Sequence, residues 1–417
     1  MNFTKKILIA MAAGVVIGII LNLSLSNDDA IRDFLISNIF ETVGLLFLSL
    51  LKMIVLPLIF VSIISGTLSI SDPNKLTRLG FKTIFLYMLS TVIAISIALT
   101  ISNIFPYSIN EIQESSLDKL RVNQPAVSEK NFILNFIPEN FFFALSSGNV
   151  LQVLFFALFM GITASFIKKE IPVFVDLIEN LNRILINIVF IIIKITPIAV
   201  FCLLAKTFAN QGTDVLTPLI QYFALVILVL LIHFLGSYSI LLALFSNLNR
   251  YLFYKKLKQL LVFTFSTSSS NASIPYTLDI VTRKYGVDKS FSSFSIPLGA
   301  TINMDGTAIM QGCATYFLAS YYGITLEFTD YLTIIVTATL ASIGTAGIPS
   351  AGIIMLSIIL GQVGIPLEGI ALLLGVDRLL DMVRTSVNVA GDTCITCIVA
   401  NSEGLINTKV YEDANEN

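Results

Sequence analysis

Three stretches of the chain, 215–249, 306–326 and 331–367, contain no Asp, Glu, Lys or Arg. About 20 consecutive apolar residues suffice to cross a hydrocarbon core of about 30 Å, and each stretch is long enough. A helix satisfies its own backbone hydrogen bonds in lipid, which is one of only two ways a chain can span it. The other, a β-barrel, alternates apolar and polar residues over segments of about ten, whereas runs such as Ala224 to Ile232 are continuous. An all-α polytopic membrane protein is therefore predicted. Only 12% of the residues are charged, about half the share usual in soluble domains, which argues against an ordinary water-soluble enzyme. A net charge of −2 with no large basic block lacks the electrostatic footprint of nucleic-acid binding.

The four cysteines, Cys202, Cys313, Cys394 and Cys397, are scattered in apolar surroundings and form neither a disulfide framework nor a Cys/His zinc set. The C-x-x-C at 394–397 lies on a predicted membrane helix and reads as packing. Lys5 and Lys6 ahead of the apolar run 7–20 resemble a signal peptide, but no small-residue cleavage pattern follows in 21–27. An uncleaved first helix is expected.

Further spans are predicted at 7–24, 41–70, 83–105, 150–167, 184–205 and 218–245. Lys and Arg accumulate in short cytoplasmic loops. If these spans alternate, Lys5, Lys6, Lys75, Arg78, Lys82, Lys168 and Lys169 share one side with Arg250, Lys255, Lys256, Lys258, Arg283, Lys284 and Lys289. Both termini are then cytoplasmic. For 250–258 and 283–289 to share a side, the segment between them must enter and return, as a re-entrant hairpin with a serine-rich tip at Ser268, Ser269 and Ser270. The stretch 331–367 carries SIGTAGIPSAG (342–352), whose glycines and proline weaken a straight helix. A second hairpin, entering from outside, is predicted there. Irregular backbone at membrane depth survives only when buried in protein or lining a cavity. Each hairpin is followed by a helix, near 290–320 and 369–400, giving two inverted copies, an architecture of secondary transporters.

The helix after the first hairpin is interrupted by Asn303, Met304, Asp305, Gly306 and Thr307. A carboxylate at the bilayer centre costs about 2.5–3.5 kcal/mol on insertion scales unless answered. Gly306 permits unwinding, and freed carbonyls with a carboxylate are hard oxygen ligands for a hard cation. The helix after the second hairpin carries Asp377, Asp381, Arg384, Asn388 and Asp392, spaced by four, three, four and four residues. At helical pitch these form one polar stripe. Arg384 can clamp a carboxylate with its planar fork, and Asp381, one turn earlier, can accept an ammonium. An acidic amino acid satisfies both. Hydroxyls of Thr307, Thr385 and Ser270 with backbone amides at the tips can hold a second carboxylate. Co-bound cations would neutralise Asp305 and Asp392.

The strings NMDGT (303–307), SIGTAGIPSAG (342–352), DMVRTSVNVAGD (381–392) and KMIVLPLIF (52–60), with the serine-rich hairpin ending in Pro275, resemble the dicarboxylate/amino acid:cation symporters, glutamate/aspartate branch, over essentially the whole chain. The resemblance implies the glutamate-transporter-homologue fold: eight transmembrane helices plus two re-entrant helical hairpins in inverted repeats. It also implies a homotrimer in which a transport domain slides past a fixed scaffold. The domains implied are scaffold helices one and two (1–80), helix three of the transport domain (81–110), an extracellular loop with scaffold helices four and five (111–215), and the rest of the transport domain (216–417). That last segment would hold helix six, a hairpin at 255–282, helix seven at 289–320, a hairpin at 328–365, helix eight at 368–401 and a cytoplasmic tail.

Residue by residue, the resemblance makes Arg384 the side-chain carboxylate clamp and Asp381 the ammonium acceptor. Asn388, Thr385, Thr307 and Ser270 become further substrate contacts, and Ile348 and Gly352 the outer hairpin's closing edge. The implied cation ligands are Gly299, Asn303, Asn388 and Asp392 at one site, and Thr301, Ser342, Ile343 and Thr345 at a second. A third takes Tyr87, Ser90, Thr91, Asn303 and Asp305. The implied partners are an acidic amino acid, co-transported Na+ or H+, and the lipid bilayer, with no resident cofactor.

Two departures from the family pattern matter. Many relatives carry an additional Arg beside the inner hairpin's serines or directly after the ammonium-binding Asp, where this chain has Ser268 and Met382. Eukaryotic relatives carry a proton-bearing Glu on helix seven where this chain has Gln311, which cannot titrate. His233, the single histidine, sits on a charge-free helix with no apparent partner, and a packing or interfacial role is expected.

The reading is cation-coupled uptake of L-aspartate or L-glutamate, with Na+ as the coupling ion. The alternatives are a proton-coupled member of the same branch, a C4-dicarboxylate symporter, and a passive anion channel, which would not need the Arg384–Asp381 pair. An intramembrane hydrolase is disfavoured because no Ser/His/Asp arrangement appears. Strong Ile, Lys and Asn usage points to an AT-rich bacterial genome, hence the cytoplasmic (inner) membrane.

Overall fold

The apolar runs fold as helices whose ends follow local capping chemistry. The structure is a computed structural model, and it describes residues 3–24, 30–68, 77–105, 107, 137–147, 149–213, 216–344 and 351–413. Helix α1 (Phe3–Ser24) and the short α2 (Ala30–Asp33) lead through a π-helical segment, Phe34–Phe40, into α3 (Glu41–Leu68). Helix α4 (Thr77–Ile104), α5 (Phe141–Ser147), α6 (Val150–Phe166) and α7 (Pro172–Gln211) follow. The span expected at 184–205 is thus longer. Asp176, Glu179 and Arg183 fall outside an apolar window, yet they continue α7 as an exposed first part. Pro172 opens that helix at a position where its missing N–H is no loss. Gly212, at φ 61°, closes it.

Helix α8 (Leu216–Ile232) passes through a π turn, His233–Ser237, into α9 (Tyr238–Phe245). Helix α10 (Arg250–Thr267) starts on the side chain of Asn249, which accepts from the amides of Tyr251 and Leu252. It stops at Ser268, whose φ of 50° is left-handed. Ser269 then caps α11 (Ser270–Arg283) by accepting from the Ala272 amide. Two serines are all that separate these helices, which pack against each other where the serine-rich tip was expected.

Helix α12 (Lys289–Ile302) ends at Asn303, which is extended, and α13 (Asp305–Tyr321) begins two residues later. The interruption expected over 303–307 is confined to Asn303 and Met304. Helices α14 (Phe328–Gly344) and α15 (Ala351–Gln362) flank the glycine-rich motif. Most of that motif, with the predicted site residues Thr345 and Ile348, lies outside the described residues. Helix α16 (Ile370–Ser402) is unbroken, and α17 (Thr408–Glu412) closes the described chain.

By length and composition, Leu79–Ile104 and Leu216–Phe245 are long and apolar enough to cross a membrane. Helix α1 packs on α7, and α3 on both α6 and α7. Helix α13 packs against α4, α8, α15 and α16, while α10 and α12 also line α16. Helix α16 is consequently buried from Ile370 to Ala400 at nearly every position, charged ones included.

The segment before α17 ties the end of α16 to the α10–α11 pair. The Asn407 amide donates to the Gly286 carbonyl and the Asp288 amide to that of Leu405, both at 2.8 Å. Lys256, buried on α10, donates to the carbonyls of Lys284 and Val410 at 2.7 Å.

Candidate substrate and cation site

Ionised side chains gather where α16 faces the broken helix α12–α13. Arg384 is 1% exposed. Its Nη2 donates to Asp381 Oδ1 at 2.9 Å and forms an ion pair with Asp377 Oδ1 at 2.8 Å. Among the described residues, its Nε and Nη1 have no hydrogen-bond partner. A buried guanidinium with unmet donors is costly unless an acceptor arrives. Gly352 packs close to Nη1: a Cβ built there would stand 3.1 Å from Arg384 Nη1, 3.0 Å from the Thr307 methyl and 2.9 Å from the Met310 methyl. Thr307, Met310, Gly352 and Arg384 therefore converge on one place, where only a glycine fits.

Asp381 is less free than its spacing along the helix implies. Its Oδ2 receives Nη1 of Arg378 at 3.2 Å while its Oδ1 holds Arg384. The additional guanidinium missing at Ser268 and Met382 is thus supplied three residues before Asp381. Sequence reasoning passed over Arg378, although an Arg at (i, i+3) from an acid on a helix is a recognisable pairing. Thr385 Oγ1 donates to the Asp381 carbonyl at 2.8 Å, within its own helix. Ser270 is buried on α11, which packs beside α16, but makes no hydrogen bond to the stripe among the described residues.

Asn388 joins this place to the break in the helix. Its Oδ1 accepts from the Gly306 amide at 2.7 Å, and its Nδ2 lies 3.4 Å from Thr307 Oγ1. Gly306 is required for that approach, since a Cβ there would fall 2.7 Å from the Arg384 carbonyl oxygen. Asn303 Nδ2 donates to Asp392 Oδ1 at 2.9 Å, and Asn303 Oδ1 is buried without a partner among the described residues. Gly299 faces the same carboxylate so closely that a Cβ on it would fall 2.6 Å from Asp392 Oδ1.

Asp305, wholly buried, draws donors from three helices. Ser90 Oγ reaches Oδ2 at 2.5 Å and Thr91 Oγ1 reaches Oδ1 at 2.8 Å, both from α4. Thr91 also lies 3.0 Å from the Tyr87 carbonyl. Ser342 Oγ lies 3.0 Å from the Ile302 carbonyl, which brings the end of α14, with the buried Ile343, to the end of α12. Among the described residues, Thr301 bonds within its own helix, to the carbonyls of Pro297 and Leu298.

His233 departs from expectation. It is not a lone packing residue: its Nε2 lies 3.2 Å from Asp305 Oδ2, and the Tyr238 hydroxyl donates to the same oxygen at 2.9 Å. Both residues were missed as site members because their spacing of five does not share a face on an α-helix.

The residues fit hard cations and an anionic ligand. An amide oxygen at Asn303 with no partner among the described residues, and buried carboxylates at Asp305 and Asp392, supply oxygen ligands. The unmet donors of Arg384 supply an anion contact.

Comparison with known proteins agrees in kind. Residues 3–402 match the model of the sodium:dicarboxylate symporter family. The proton/glutamate-aspartate symporter of Escherichia coli (strain K12) is 30% identical, over 95% of this chain and 92% of that protein. The proton/sodium-glutamate symport protein of Bacillus caldotenax is 31% identical over 94% of both chains. The C4-dicarboxylate transport protein of Bacillus subtilis (strain 168) is 30% identical over 96% and 94%.

Proposed function

The chain belongs to the sodium:dicarboxylate symporter family, a family of membrane transporters rather than enzymes, and from that premise we propose that it takes up L-aspartate or L-glutamate together with Na+. The observation that carries this reading is Arg384, buried at 1% exposure with Nε and Nη1 unpartnered among the described residues and Nη1 beside Gly352. A carboxylate that reaches Nε and Nη1 meets donors in the planar arrangement Arg offers and Lys does not. Asp381, one helical turn earlier, supplies the negative charge that an ammonium needs.

Cation coupling follows from charge. The buried centre holds four carboxylates, Asp305, Asp377, Asp381 and Asp392, against two guanidiniums, Arg378 and Arg384. An acidic amino acid adds one further negative charge. Bringing it into a medium of low dielectric without companion cations is prohibitive. The oxygen ligands around Asp305 and Asp392 suit Na+.

In this reading α10–α11 and α14–α15 are the two re-entrant hairpins, and α12–α13 and α16 are helices seven and eight. Helices α4 and α8–α16 move as a transport domain against α1, α3, α6 and α7, within a homotrimer in the cytoplasmic membrane, both termini inside. The carrier crosses only when substrate and cations favour each other's occupancy, which is a coupling free energy and needs no covalent step.

A second reading, a C4-dicarboxylate substrate, is favoured by one contact. Arg378 already occupies Asp381 Oδ2, so an ammonium must displace it. Proteoliposomes decide between the readings. Uptake of radiolabelled aspartate driven by an inward Na+ gradient, and poorly inhibited by succinate, is the expected outcome. Uptake driven by a pH gradient without Na+ refutes the choice of cation, and succinate accumulation in preference to aspartate refutes the choice of substrate.

A further inference from the structure

The π turn His233–Ser237 has a specific geometric effect. Residues five apart on an α-helix lie about 140° apart around its axis, so His233 and Tyr238 would face different neighbours. Here the Tyr238 amide donates to the His233 carbonyl, the i→i+5 bond of a π turn. That bond stacks the two residues on one side. Their rings meet edge to face with centroids 4.7 Å apart, and both reach Asp305 Oδ2.

The two donors are not equivalent. The Tyr238 hydroxyl lies 2.9 Å from Asp305 Oδ2 and 3.0 Å from the Val387 carbonyl. One phenolic proton serves one acceptor at a time. A carboxylate only accepts, so His233 Nε2 carries the hydrogen and is the donor that Asp305 keeps. The other ring nitrogen, Nδ1, is buried without a partner among the described residues. With Ser90 also on Oδ2, that oxygen is fully engaged. Oδ1 meets only the Thr91 hydroxyl among the described residues.

We propose that His233 is a positioning residue for cation binding: with Tyr238, through the π turn, it anchors Oδ2 of Asp305 so that Oδ1 stays turned toward a Na+ ion. The inference rests on the cation-coupled reading above and adds helix α8–α9 to the residues that set its cation affinity. A neutral imidazole performs this role through its N–H, so an amide of similar reach can replace it.

The test uses the purified full chain, with NaCl titrated against choline chloride while melting temperature is followed, and aspartate binding measured at saturating Na+. His233→Met fills the volume without a donor and is expected to weaken Na+ on the order of tenfold, the loss of one hydrogen bond to a charged group. His233→Gln, which keeps an N–H, is expected to stay within roughly threefold of the parent. Tyr238→Phe, which removes a hydroxyl and leaves the ring, shifts Na+ affinity in the same direction as His233→Met and keeps the test usable if that variant does not fold. A parent that responds to Na+ while donor-less variants titrate identically, or more tightly, overturns the inference alone. A parent with no Na+ response overturns both the inference and the reading beneath it.

Discussion

Replacing Gly352 by Ala separates fold stability from ligand affinity at the proposed substrate site. Gly352 is the second residue of α15, where Ala is the better helix former by up to about 1 kcal/mol. The added methyl would sit 2.9 Å from the Met310 methyl, 3.0 Å from that of Thr307 and 3.1 Å from Arg384 Nη1. Met310 ends in a flexible thioether and can give way. Thr307 and Arg384 are held, the first near Asn388 and the second by two aspartates. Over-packing of this size costs about 1–3 kcal/mol, partly offset by the helix gain, so the empty protein should melt within a few degrees of the parent.

On the proposed reading the loaded protein fares worse, because the methyl crowds Nη1, which a substrate carboxylate must reach. Losing one charge-assisted hydrogen bond there costs about 1.5–3 kcal/mol, or roughly tenfold to a hundredfold in Kd. Isothermal titration of aspartate at saturating Na+, with a thermal melt of the unliganded variant, measures the two effects separately. Parental aspartate affinity in Gly352→Ala would show that the ligand does not sit between α13, α15 and α16. Equal losses of stability and affinity would show that the defect is one of folding.

Other outcomes follow from the same contacts. Arg384→Lys keeps the positive charge beside Asp377 and Asp381 but loses the fork, so aspartate affinity should fall by about 3 kcal/mol, more than a hundredfold, in the same titration. Gly299→Ala places a methyl 2.6 Å from Asp392 Oδ1 and 2.7 Å from the Tyr87 hydroxyl; the Na+ concentration giving half-maximal uptake should rise at least about tenfold. Lys256→Met leaves the carbonyls of Lys284 and Val410 without their donor. The melting temperature should drop in line with about 2 kcal/mol, with aspartate Kd unchanged, because these contacts lie at the tail rather than at the α16 stripe.

Charge patterning made much of this legible. Asp305 stood out because ionised groups are rare in apolar runs, and the stripe on α16 because intervals of three and four define one helical face. The glycines at 299, 306 and 352 show why those helices can approach. Three features escaped for physical reasons. The first part of α7 carries Asp176, Glu179 and Arg183 among its exposed residues, so a hydropathy window ended it early although the hydrogen-bond ladder continues. Arg378 pairs with Asp381 at (i, i+3), but its own position, about 100° round the helix from Asp377, left it off the stripe. His233 and Tyr238 share a face because of a π turn, a register change that helical periodicity does not encode.

Asn388 and Asn303 give the site a means of coupling its ligands. Asn388 holds the Gly306 amide with its oxygen and lies within reach of Thr307 with its nitrogen, while Asn303 bonds Asp392 and approaches the Asn388 carbonyl at 3.4 Å. An amide oxygen drawn to a cation must turn its own nitrogen with it, since the two are fixed in one plane. On the proposed reading, a cation taken up by Asn303 Oδ1, which has no partner among the described residues, would fix the nitrogen that contacts Asp392 and the backbone of Asn388. Asn388 would carry this to the α16 turn that holds Arg384 and, through the Gly306 amide and Thr307, to the start of α13. By linkage, substrate bound there must raise cation affinity by the same factor. Asn303→Asp keeps the shape but exchanges the nitrogen donor for an oxygen and adds a charge facing Asp392. It should uncouple the two: aspartate Kd becomes independent of Na+ concentration over the range in which the parent's varies. A variant in which that dependence survives would place the coupling elsewhere than in this pair of amides.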